Sequence, residues 1–102
     1  MIVLETNNNV VITYEDGLVW FINERSTNLV TVINLTQEQL STIVTNLRSF
    51  IEEINPRKVF NLGPISIEKD YYKEKGKQKT HYTVTVDNFT DYCDSIIIKE
   101  VH

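Results

Sequence analysis

His81 and Cys93 are the only pair in this sequence that could attempt nucleophilic catalysis together, because a thiol needs a base beside it and the other histidine, His102, is the last residue. They lie about one strand apart and inside no local signature. The simpler reading is a half-buried loop cysteine and a histidine on a wet strand face, so no catalytic residue is assigned. Asp87, Asp91 and Asp94 supply oxygen ligands in one loop, but without the spacing or closing glutamate of an EF-hand. One cysteine and no close histidine pair cannot build a zinc site. Gly17, Gly63 and Gly76 are too scattered to cradle a phosphate. The adjacent acids Glu15-Asp16 and Glu52-Glu53 do not converge on one point. The expectation is a non-enzymatic protein with no metal and no cofactor.

Binding chemistry is better represented than catalysis. Residues 1–56 hold seven acidic and two basic side chains, residues 57–86 three acidic and seven basic, and residues 87–102 four acidic and one basic. A hairpin over 65–86 is therefore a basic finger on an acidic body. Lys69, Lys73, Lys75, Lys77 and Lys79, interleaved with Tyr71, Tyr72 and Tyr82, combine cations with stacking rings, a mixture that single-stranded nucleic acid can use. The competing reading is that lysines at a hairpin tip keep a protruding edge soluble and unpaired. A second candidate surface surrounds the only tryptophan. Asp16-Gly17 between two β-prone runs predicts a two-residue hairpin turn, which sets Tyr14 opposite Val19, Thr13 opposite Trp20, Ile12 opposite Phe21 and Val11 opposite Ile22. Alternation then puts Ile12, Tyr14, Val19 and Phe21 on one face and Val11, Thr13, Leu18, Trp20 and Ile22 on the other.

Both faces are apolar, whereas a single helix covers only one. Either further strands fold over the second face, as a sandwich or curled half-barrel, or that face is an interface. The helix itself is the strongest local signal. Leu40, Ile43, Val44, Leu47, Phe50, Ile51 and Ile54 share one stripe, Thr36 and Gln39 form a capping box, and Pro56 disfavours helix at Asn55, so a helix is predicted over 36–54. Around it, strands are predicted at 2–4, 10–14, 19–23, 27–33, 58–62, 65–72, 80–86 and 95–101, with loops over 73–79 and 88–94. The predicted fold is a single α+β domain over 1–102. It is an antiparallel, strongly curled sheet of about six to seven strands on one central helix, with four strand segments before the helix and four after.

Composition limits the function classes. The chain has 102 residues, 41% hydrophobic and 24% charged, with a net charge of −4. That acidic balance argues against general affinity for nucleic acid or an anionic membrane. No apolar run approaches the roughly 20 residues of a membrane-spanning helix, and the start MIVLETNNN lacks the features of a secretory signal, so the cytoplasm is the expected compartment. Compact acidic proteins of this size include phage-encoded inhibitors of bacterial nucleases, and the likeness is one of class. The expected function is a small protein–protein binding module, of inhibitor or immunity type against a defence protein or nuclease, with another protein as its partner. The alternatives are single-stranded nucleic-acid binding through the hairpin and a structural homodimer.

Overall fold

The structure, a computed structural model, describes residues 1–53 and 58–101. Its elements are β1 (Ile2–Thr6), β2 (Val11–Glu15), β3 (Leu18–Asn23), β4 (Ser26–Val32), α1 (Gln37–Glu52), β5 (Lys58–Leu62), β6 (Ile65–Glu74), β7 (Lys77–Val86), β8 (Phe89–Cys93) and β9 (Ile96–Glu100). The fold is α+β and antiparallel as predicted, with nine strands among the described residues where six to seven were expected. They form two sheets, ordered β4-β3-β2-β1-β9 (sheet A) and β5-β6-β7-β8 (sheet B).

Local turn chemistry accounts for the strands that were placed well and for those that were not. Asp16 and Gly17 both take positive φ, at 50° and 81°, and the β2–β3 register is the one their turn requires, with Tyr14 opposite Val19 and Thr13 opposite Trp20. Lys75 and Gly76 do the same, at 53° and 77°. The predicted loop over 73–79 is thereby reduced to two residues, and β6 and β7 pair out to Glu74 and Lys77. Asp87, at φ 50°, reverses the chain after β7, so most of the predicted 88–94 loop is strand β8.

In α1 the capping box is present, with Gln39 N–H donating to Thr36 Oγ1 at 3.1 Å and Thr36 N–H to Gln39 Oε1 at 2.9 Å. The helix ends at Glu52, short of the predicted 54, because Glu53 turns extended at φ −74° and ψ 139°. Ile54, Asn55 and Pro56, on which the predicted stop rested, lie outside the described residues.

One apolar cluster joins every layer. Ile2, Leu4, Ile12, Val19 and Phe21 from sheet A meet Ile65, Ile67, Tyr82, Val84 and Val86 from sheet B, with Val44, Leu47 and Phe50 of α1. Phe21 and Phe89 link the two sheets with ring centroids 4.7 Å apart, and Phe50 and Phe60 link α1 to β5 at 6.0 Å. Polar bonds tie the sheets at one end. Asn7 Oδ1 accepts from the N–H groups of Asp94 and Ser95 at 2.8 and 3.1 Å, and Asn8 Nδ2 donates to Asp91 Oδ1 at 3.1 Å.

Candidate functional site

Among the described residues, sheet A has one covered face and one open face. Sheet B and α1 both pack on the side of Ile12, Val19 and Phe21, so the strands that the sandwich alternative placed over the second face lie instead on the same side as the helix. Val11, Thr13, Leu18, Trp20 and Ile22 share the other side and are half-buried by one another. The strand order enlarges this surface. Val3 stands opposite Thr13 and Leu29 opposite Trp20, giving a cross-sheet row Lys99, Val3, Thr13, Trp20, Leu29, and the next row runs Ile97, Glu5, Val11, Ile22, Thr27. Leu29, Val32 and Ile97 are 49%, 56% and 54% exposed, so the apolar rows reach solvent among the described residues. Glu5, which interrupts the second row between Ile97 and Val11, meets Lys99 of the first row, with Lys99 Nζ 3.2 Å from Glu5 Oε2. Val3, Leu29 and Ile97 were missed from sequence because their place depends on the β1–β9 and β3–β4 pairings.

The eight residues assigned to an anion-binding hairpin do not form one surface. Alternation along β6 and β7 puts Lys69, Tyr71, Lys73 and Tyr82 on one face, Tyr72, Lys77 and Lys79 on the other, and Lys75 in the turn. Lys79 is held 3.3 Å from Glu74. Lys69 and Tyr82 are corrected outright as anion-binding candidates, because both are buried.

Lys69, only 3% exposed, is a structural cation. Its Nζ donates to the backbone carbonyls of Phe50 and Ile51, each at 2.9 Å, and to that of Glu53. A helix leaves its last carbonyls without partners and carries partial negative charge at that end, and α1 has no basic residue in its own last turn. A lysine from β6 supplies the missing donor. The rings of Phe50, Tyr71 and Tyr82 surround the ammonium at 6.0, 5.9 and 6.0 Å to their centroids, so the charge leaves water for three carbonyls and three π faces. The sequence signal was present: Lys69 falls in phase with Ile65 and Ile67, on the buried side.

His81 and Cys93 sit on opposite faces of sheet B. His81 points outward from β7, while Cys93 pairs with the inward Tyr82 and is buried. Burial, reinforced by the negative charges of Asp91 and Asp94, pushes the Cys93 thiol up to about 12 from its ordinary value of 9.0. A thiol of raised pKa favours the folded state fully below the unfolded value and loses that contribution as pH climbs toward the folded one. Stability should therefore fall between about pH 9 and pH 12, and urea midpoints measured across that window should decline less steeply in Cys93→Ala than in the wild type.

The three aspartates diverge. Asp87 is in a turn, Asp91 faces inward on β8 against Asn8, and Asp94 follows β8 with its N–H bonded to Asn7. Among the described residues no helix is long and apolar enough to cross a membrane. Compared with protein-family models, with curated proteins and with solved structures, the chain matches none of them.

Proposed function

We propose that this chain is a non-enzymatic protein-binding module that docks its partner on the open face of sheet A. The observation that carries this reading is the apolar surface around Trp20, open among the described residues and running from Val3 to Leu29 and Val32, with Ile97 on the far side of Glu5. Tryptophan within an exposed apolar patch is the composition of a binding hot spot, and a patch of this kind on a free surface is an association site. The net charge of −4 favours a basic partner through steering, in keeping with an inhibitor or immunity-type factor, and the free Cys93 suits a reducing compartment such as the cytoplasm.

The test is retention of a partner from the native host's extract by immobilised chain, compared with Trp20→Glu and Leu29→Glu. Both substitutions lie on the open face, so native circular dichroism should persist while retention falls by at least about thirtyfold, the scale of a 2 kcal/mol hot spot. Undiminished retention by folded variants rejects the reading.

A second copy of the chain is the other occupant with a specific observation behind it. Edge strand β4, Ser26-Thr27-Asn28-Leu29-Val30-Thr31-Val32, borders the same face and holds no charged residue, the usual guard against edge-to-edge pairing. Sedimentation equilibrium separates the two: a dimer mass that Leu29→Lys converts to a monomer supports self-association, and a monomer at all concentrations removes it.

A further inference from the structure

The outer face of sheet B carries a second arrangement of side chains that neither the core nor the open face of sheet A uses. Tyr72 stands opposite Lys79, Asp70 opposite His81, and Thr83 opposite Tyr92. Tyr72, His81 and Tyr92 therefore step one row at a time across β6, β7 and β8, forming a diagonal of three rings on one surface. The Tyr72 and His81 rings are already in contact, with centroids 5.4 Å apart and planes tilted by 44°. Tyr92, on edge strand β8, is 71% exposed. Between them lies a shallow cleft of about 350 Å³ whose lining is completed by Cys93 and Asp94.

The charges around these rings decide what the cleft can take. Asp94 lines the cleft together with His81, and Glu68 stands opposite Thr83 in the row that also holds Tyr92. Lys79, which stands opposite Tyr72, is paired with Glu74. Phosphate is disfavoured by such a surround, whereas a cation is attracted both by the carboxylates and by the negative faces of the rings. We infer that this cleft receives the side chain of an arginine from a protein partner, its guanidinium laid against Tyr92 and Tyr72 and hydrogen-bonded to Asp94. Arginine fits better than lysine because its planar, weakly hydrated head stacks on rings while its edge donors reach a carboxylate. The field is felt on the far side of the strand as well, where burial is the first cause and Asp91 and Asp94 the next that raise the Cys93 thiol. This inference does not depend on the sheet A face.

The experiment titrates the full chain with the pentapeptide Gly-Gly-Arg-Gly-Gly, and separately with the same peptide carrying citrulline, the neutral isostere of arginine, while following side-chain NMR signals. The arginine peptide should shift the ring protons of Tyr72, His81 and Tyr92 saturably, and the citrulline peptide should leave them within error. Tyr92→Ala should abolish the shifts, and Asp94→Asn should weaken binding severalfold, with amide spectra elsewhere unchanged. Trp20→Glu should bind the arginine peptide as the wild type does, so loss of partner capture by that variant and failure of this site are separate results. Equal shifts from both peptides, or undiminished shifts in Tyr92→Ala, overturn the inference.

Discussion

Lys69→Met should lower the stability of the folded chain by roughly 1–3 kcal/mol, the cost of leaving a buried hydrogen-bond acceptor unsatisfied. Methionine fills much of the same volume but donates nothing, so the Phe50 carbonyl loses this donor outright, while those of Ile51 and Glu53 keep only the longer bonds from the Tyr82 and Tyr71 hydroxyls, each at 3.4 Å. Each buried acceptor left unsatisfied costs about 1–3 kcal/mol, and partial rehydration at the helix end keeps the total below the simple sum. Lys69→Arg should not restore the loss, because a wider planar head cannot enter a site packed by Phe50, Tyr71 and Tyr82. Urea denaturation gives the magnitude, and amide exchange should show the last turn of α1 opening before the sheets. A loss under about 1 kcal/mol would mean that the ammonium contributes little beyond its packing.

Leu47→Ala should cost about 2–5 kcal/mol by a different route. Leu47 is 2% exposed in the middle of the α1 stripe, between Val44 and Phe50, at the place where helix and sheets share one cluster. Truncation removes transfer free energy and leaves a cavity that two sheets and a helix cannot jointly close. The denaturation midpoint should fall with the slope m unchanged, since the fold remains and only its stability drops. Ile43→Ala, on the half-buried flank of the same stripe, should cost distinctly less. Equal losses at the two positions would contradict the placement of the core.

What the residue order revealed follows from the range of the interactions concerned. The α1 cap and the β2–β3 register are set by side chains within three residues of the groups they satisfy, and both were legible. Strand β8 and the full length of the β6–β7 hairpin were not, because Asp87 and Lys75 take left-handed geometry that non-glycine residues adopt only occasionally. The division into two sheets depends on pairings such as Ile2 with Glu100, which no local pattern displays. Lys69 was placed on the correct side of its strand and given the wrong role. Its partners are main-chain carbonyls 16 to 19 residues away, and backbone groups leave no trace in the amino-acid alphabet. The open face was half legible: Trp20 and its four companions follow from the Asp-Gly turn, whereas Leu29 needs the register shift in β4 and Ile97 needs the pairing of β1 with β9.

The measurement closest to the central claim is site-specific photo-crosslinking in the host that makes the protein, with the reactive group placed in turn at Leu29, at Ile97 and at Thr45. The first two flank Trp20 on the open face of sheet A, and Thr45 is exposed on α1, away from that face. Leu29 and Ile97 should yield the same discrete cross-linked species, while Thr45 yields none. Cross-links of equal strength from all three positions, or from Thr45 alone, would contradict the assignment of the open face as the docking surface.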